Sequence, residues 1–226
     1  MADWVTISSL ATAGGTLVLA VATFSSVRSA NRSARLAERS LLAGLRPILI
    51  PTHEDDPDQT VRFGDGILIR VPGHGAAIDL QGDNLYLGIG LRNGGTGLAV
   101  IHGWRVEAQD QTGNQPPSLD DFRPQQRDLY VPAGETGFWQ GAIRDRSDPE
   151  YNELRSALRT GARVAVDLIY GDYEGGQRTI ARIGLTRDGD AKDYRAEVGR
   201  YWNVDGSDPR ERPESNVPVP QPPYNQ

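Results

Sequence analysis

The hydrophobic positions change period once along the chain, and that change divides it. Residues 4–27 contain no charged side chain and no proline. Helical character continues past them to Ala43, with Gly44 and Pro47 as breakers, so the pattern predicts one long N-terminal helix. Beyond Pro47 the apolar positions fall in short runs rich in β-branched and aromatic residues, at 48–50, 61–63, 67–71, 85–91, 98–106, 129–131, 137–140, 164–170 and 178–185. Gly, Pro, Asn and Asp separate these runs, which therefore read as antiparallel strands. One helix interrupts them. Ser147 and Asp148 are suitable N-caps, Pro149 suits the first helical position, Tyr151, Leu154, Ala157 and Leu158 form an apolar face, and Gly161 is the stop. Two turns, Asn93-Gly-Gly-Thr-Gly97 and Glu174-Gly-Gly176, supply residues that tolerate positive φ and read as hairpins.

As a helix, residues 4–27 would extend roughly 36 Å at ~1.5 Å per residue, against a hydrocarbon core of about 30 Å. Trp4 would stand at one interface and Arg28 would open the other. A transmembrane helix is the expectation, although the run is rich in Ser, Thr and Gly. A soluble helix lying on the β domain and a cleaved leader are the alternatives. Ala20-Val-Ala22 fits a small-x-small cleavage pattern, but Met1-Ala-Asp3 lacks a basic start. Arg28, Arg32, Arg35, Arg39 and Arg46 follow the run, so the positive-inside rule places the bulk of the chain in the cytoplasm of a single-pass membrane protein. Arg28, Arg32, Arg35 and Arg39 also suit anionic headgroups. A three-four stepping collects Ala13, Thr16, Ala20, Val27, Ala30, Ala34, Ala37 and Leu41 into a stripe of mostly small residues. Such a stripe is a candidate helix–helix seam for homo-oligomers, or simply what an Ala/Ser/Thr-rich helix shows in any register.

The chain therefore divides into residues 1–27 (short N-tail and span), 28–46 (basic juxtamembrane helix), 47–204 (β domain) and 205–226 (a Pro-rich tail expected to stay disordered). The 226 residues hold no cysteine, which excludes disulfides, thiolate metal sites and a cysteine nucleophile. A net charge of −6 and a pI near 5.1 argue against a nucleic-acid partner. The charge is uneven. Five arginines against Asp3 and Glu38 leave residues 1–46 at +3, so the remainder carries −9.

No compact catalytic signature stands out. Gly73-His-Gly75 begins like a dinucleotide loop but lacks the third glycine and a following helix, and reads as a loop. His53, His74 and His102 lie apart, and the acidic groups at 54–58 and 188–190 do not match a calcium loop. No cofactor or metal is expected. The turn Tyr170-Gly-Asp172-Tyr173-Glu174 gathers phenols and carboxylates at a hairpin tip, so Tyr170, Asp172, Tyr173 and Glu174 are candidate recognition residues.

Eight or so short strands with one crossover helix match an immunoglobulin-like antiparallel β-sandwich. The segments 36–51 and 86–104 resemble uncharacterised actinobacterial-type single-pass membrane proteins, from the anchor to about Leu185. Leu91-Arg-Asn-Gly-Gly-Thr-Gly-Leu-Ala99 followed by Val131-Pro-Ala-Gly-Glu135 is similar to immunoglobulin-like adhesion modules built on an Asn-x-Gly turn and a later Pro-x-Gly-Glu turn. The resemblance implies a mainly β head behind a transmembrane helix and no catalytic residues. The expected function is a membrane-anchored cytoplasmic interaction or scaffold module with a protein partner, not an enzyme. Two alternatives remain open: a ligand-binding or enzyme-like sandwich using His102, Asp172 and Glu174, and an envelope-facing receptor or adhesin of reversed topology.

Overall fold

The computed structural model describes residues 4–108, 115–188 and 193–206, with the side chains of the N-terminal helix from Thr12 onward except those at 39, 42 and 43. Two compact units divide between residues 45 and 46. The first holds α1 (Trp4–Gly44), a single helix of 41 residues. Its hydroxyls turn back on its own carbonyls: Thr16 Oγ1 donates to Thr12 O at 2.9 Å, Thr23 Oγ1 to Leu19 O at 2.8 Å, and Ser25 Oγ to Ala22 O at 2.9 Å. Leu17, Val18, Leu19, Val21, Phe24 and Val27 are exposed on it. Among the described residues no helix is long and apolar enough to cross a membrane.

The second unit is mainly β. In chain order it contains β1 (Leu49–Pro51), β2 (Gln59–Arg62), β3 (Leu68–Val71), β4 (Gly75–Gln81), β5 (Asn84–Asn93), β6 (Ala99–Ala108), β7 (Arg123–Val131) and β8 (Thr136–Ile143). After these come α2 (Pro149–Thr160), β9 (Val164–Gly171), β10 (Thr179–Arg187) and β11 (Asp193–Asn203). Nine strands make one antiparallel sheet. β5 carries β8 on one side; on its other side β4 pairs with residues 84–89 and β1 with residues 91–93. From β4 the order runs β11, β10, β9, β6, β7. The sheet curls into a half-barrel, so the strands that the sequence assigns to two stacked sheets belong to one hydrogen-bonded sheet bent around a common core. β2 and β3 form a separate hairpin.

Inside the curl lie Leu85, Leu87, Ile89 and Leu91 of β5, Val164, Val166 and Leu168 of β9, Trp104 and Trp139, and the Tyr151, Leu154 and Ala157 face of α2. α2 forms as its sequence dictates: Asp148 accepts from the Glu150 N–H, Pro149 occupies the first turn, and Gly161 ends the helix with φ +69°. The outer face of β5 is also covered, because Val61, Phe63, Ile69 and Val71 of the small hairpin pack on Ala77 and Tyr86. A Cβ at Gly88 would lie 2.7 Å from Val71 Cγ2, which explains a glycine in the middle of a buried strand.

Of the two expected hairpins, one departs from that form and one keeps it. The Asn93–Gly97 segment is no hairpin: β5 and β6 do not pair, and the segment carries the chain across the core. Its glycines serve close approach, since a Cβ at Gly95 would overlap the Arg46 carbonyl oxygen. The 174–176 turn is a hairpin between β9 and β10, with Gly175 at φ +80°. Residues 75–81, read as a loop, form β4, and Gly82 at φ +59° turns it into β5. β11 was absent from the strand pattern, because charged residues at 195, 197 and 200 interrupt its apolar positions.

Asn93 is wholly buried, and its amide is saturated. Oδ1 accepts from Ile48 N–H at 3.1 Å and Gly95 N–H at 2.9 Å, while Nδ2 donates to Gly97 O at 2.7 Å and Val131 O at 2.9 Å. Its backbone N–H donates to Glu135 O, and its carbonyl accepts from Gly134 N–H. Asn93→Ala should therefore lower stability by roughly 2–4 kcal/mol, given ~1–3 kcal/mol for each buried polar group left unsatisfied. Urea unfolding of the full chain, followed by tryptophan fluorescence, measures it; a loss below about 0.5 kcal/mol, the scale of ordinary surface changes, contradicts the role.

Candidate functional site

The curl stops short of closure. β7 ends the sheet on one side and β8 lies on the free flank of β5, and among the described residues no strand pairing joins them. Thr52 N–H donates to Gly90 O, so Gly90 turns its backbone groups toward β1, away from its cross-strand partner Phe138. Because facing directions alternate along an antiparallel pair, Phe138, Gln140 and Ala142 point their backbone groups away from β5. The Gln140 carbonyl does so visibly, accepting from Gln125 Nε2 of β7 at 3.3 Å. The same glutamine accepts from Trp139 Nε1 at 3.2 Å. One side chain thus spans the seam where a ladder would otherwise run.

β7 contributes to the opening through its own irregularity. Its register with β6 breaks between the Ile101–Leu129 and Gly103–Pro124 pairs, so residues 125–128 bulge out opposite His102. Beside the seam lies a groove of about 1000 Å³, lined by Arg62 and Asp65, by Arg123 through Arg127, by Trp104, and by Gln140 through Ala142 with Arg144. Four of its lining residues are arginine and one, Asp65, is acidic.

The four arginines are not equivalent. Arg123 sits 5.4 Å over the Trp104 ring and holds Asp148 at 2.6 Å and Glu150 at 2.7 Å, tying the groove to the start of α2. Arg144 pairs with Asp65 at 3.1 Å and lies over Tyr86 at 5.8 Å. The Tyr86 hydroxyl donates to Asp65 at 2.6 Å and, with Arg144, holds its carboxyl below the usual carboxylate range. Arg62 and Arg127 are exposed and have no ion-pair partner among the described residues. Gln140 is only 9% exposed, and its Oε1 is buried with no hydrogen-bond partner among the described residues.

The residues singled out from the sequence separate in part: His102 and Asp172 come near one another, and the others do not. Tyr170 does not share the surface of the hairpin tip: it is 1% exposed, and its hydroxyl accepts from Leu49 N–H at 3.2 Å. As the last apolar position of β9, it follows the inward parity of Leu168. Tyr201 Oη completes the clamp by donating to Leu49 O at 2.7 Å. Asp172 is occupied by its own turn, accepting from Gly176 N–H at 2.8 Å. Tyr173, 75% exposed, and Glu174 are the outward pair. His102 lies at the base of the same hairpin, where a Cβ on Gly171 would meet its Nε2 at 3.0 Å; that nitrogen is buried and unpartnered among the described residues, and burial, then Arg178, holds the ring below the usual histidine range against the opposing pull of Asp172. Arg28, Arg32 and Arg35 are exposed on α1, as are Ala13, Thr16, Ala20, Val27, Ala30, Ala34, Ala37 and Leu41, whereas the Arg39 side chain lies outside the described residues. Residues 207–226 of the Pro-rich tail also lie outside them. No group of three or more His, Asp or Glu among the described residues is arranged to hold a metal ion.

Sequence reasoning missed the groove, although Pro124 carried a signal: within a strand, proline belongs at an edge. It also missed a charge cluster on the outer sheet face. Asp167, 1% exposed, receives Arg182 through two bonds of 2.8 Å and lies 3.0 Å from Arg105 Nε; Arg105 in turn holds Glu107 at 2.6 Å. The arginines neutralise the carboxylate internally, which gives the cluster a structural task. Neither a family model, nor a curated protein, nor a solved structure matches the chain.

Two stability tests follow from these buried groups. Asp167→Ala should cost about 3–5 kcal/mol in urea unfolding, because it removes the bidentate carboxylate partner of the buried Arg182 guanidinium; a near-neutral result contradicts the assignment. Burial pushes the Tyr170 hydroxyl up to about 12 and raises that of Tyr201 as well. A phenol whose folded pKa exceeds its unfolded value of about 10 stabilises fully below pH 10 and loses that contribution as pH climbs to 12. The thermal midpoint should therefore fall across that window, and the double variant Tyr170→Phe/Tyr201→Phe should show a shallower fall.

Proposed function

We propose that the chain is a membrane-anchored interaction module without catalytic activity, tethered through α1 and recognising a protein partner through the arginine-lined groove of its β head. The observation that carries this reading is the open seam: among the described residues, an unpaired strand edge flanked by two exposed arginines without an ion-pair partner. Exposed polar groups held on a rigid sheet are suited to recognition. Among the described residues no group of His, Asp or Glu is arranged to hold a metal ion around which a reaction would be organised.

The anchor rests on the uncharged run at 4–27 and on the arginines that follow it. The hydroxyls that make this run only moderately apolar are hydrogen-bonded to the helix backbone at Thr16, Thr23 and Ser25, which lessens the penalty of placing them in lipid. Arg28, Arg32 and Arg35 orient the tether with the head on the cytoplasmic side. The Asn-x-Gly and Pro-x-Gly-Glu turns meet at Asn93, which supports an immunoglobulin-like ancestry for the head without requiring two separate sheets.

Extraction and labelling test the reading together. In membranes containing the full chain, the protein should stay with the pellet under alkaline carbonate, and Ser215→Cys, the only cysteine, should react with an impermeant maleimide only after lysis. Release by carbonate overturns the anchor, and labelling of intact cells reverses the orientation.

A further inference from the structure

The groove holds more information about its ligand than charge alone. Along β8, Phe138, Gln140 and Ala142 present N–H and C=O groups outward, and among the described residues only the Gln125 side chain reaches them. Such an edge is a template for one more strand. Natural sheets usually blunt an exposed edge with charge or proline. Here β7 does so, with Pro124 and Arg127, whereas β8 reads Thr-Gly-Phe-Trp-Gln-Gly-Ala-Ile from 136 to 143, without a charge or a proline.

We infer that the groove binds an extended acidic segment of a partner protein, which adds as a strand to the free edge of β8 and places carboxylates against Arg62 and Arg127. The inference rests on the reading of the head as a recognition module. Three independent observations meet in it. The edge supplies donors and acceptors at strand spacing. The lining supplies four arginines against one aspartate, two of the arginines having no internal partner among the described residues. Gln140 supplies a buried amide oxygen that still lacks a donor, and an incoming backbone or side-chain N–H would satisfy it. Gln125, now bonded to both Trp139 and the Gln140 carbonyl, occupies the position of the absent strand and is the group the segment displaces. Backbone pairing gives affinity with little demand on sequence, and the arginines select acidic residues at alternate positions.

The test uses the full chain in detergent micelles and a fluorescein-labelled, end-blocked peptide of about eight alternating Glu and Val residues, the length of a typical strand. Anisotropy should rise on binding. The double variant Arg62→Glu/Arg127→Glu should weaken binding by at least about tenfold, and a Lys/Val peptide should not bind. Methylating alternate backbone nitrogens of the Glu/Val peptide should abolish binding, as should Ala142→Pro, which removes an outward N–H while leaving the β5 ladder intact. Equal binding of the methylated peptide overturns strand addition even if Ala142→Pro fails to fold, and equal binding of the Lys/Val peptide overturns the charge assignment. A dimer that Arg62→Glu/Arg127→Glu dissolves would make a second copy the occupant, and displacement of the peptide on restoring residues 207–226 to a truncated chain would make it the chain's own tail; either overturns the proposal. A chain that fails to bind the peptide yet crosslinks in membranes to one protein through a probe at Tyr173 keeps the recognition reading and loses this inference. Absence of crosslinking through that probe as well removes the reading itself.

Discussion

One carboxamide holds the β head in register. Asn93 stands where β5 ends and the chain must cross the core to begin β6, a passage whose backbone is tied to the segment before β1 by Gly94 N–H to Ile48 O and Thr96 N–H to Arg46 O. Its side chain uses both lone pairs and both protons on four backbone groups, from the entry to β1, from the crossing itself and from the end of β7. Its main chain binds the turn between β7 and β8. Asp in this place would repel two carbonyls, and Gln would carry the amide one methylene too far. The crossing, the docking of β1 and the point where β8 starts are therefore fixed together.

From that constraint the open seam follows. With β8 held on one flank of β5, and with β4 and β1 on the other, the sheet can grow only through β4, and its far end returns as β7. Curling brings β7 within side-chain reach of β8, but the bulge at 125–128 and Pro124 interrupt the edge that would have to pair. Gln125 bridges the gap with two side-chain bonds. Arg123 braces the same strand against α2. The seam is thus held open by specific contacts, and its polar groups remain available to a partner.

How far these features were legible depends on whether the signal was local. α2 was readable to the residue because its cap, its first-turn proline and its terminal glycine lie within the segment they control. The β-branched strands were readable for the same reason. β4 was not, because Gly75-Ala-Ala-Ile-Asp-Leu-Gln81 has one β-branched residue and takes its strand character from pairing with β5. In β11 the inward Tyr194 and Ala196 are separated by charge, and a register shift opposite Arg182–Ile183 breaks the alternation further along. Tyr170 shows the opposite error: its neighbours in sequence marked it as part of a polar turn, while its parity in β9 sent the phenol to Leu49. The groove is the least local feature, assembled from the ends of β2, β6, β7 and β8.

The charge distribution constrains how such a groove can work. Residues 47–204 carry −7, so an acidic ligand is repelled by the head at long range and gains nothing from electrostatic steering. At physiological salt that repulsion fades over about 8 Å, leaving the arginines of the groove to act only on groups already beside them. Attraction of this kind cannot capture a partner by charge alone. It rewards a segment whose backbone has already aligned with β8, because only that alignment brings successive carboxylates within reach of Arg62 and Arg127. On the proposed reading, an acidic domain with a basic seam is for this reason more selective than a basic domain would be: the net charge repels polyanions at a distance, and only charges presented on an extended strand would reach the arginines.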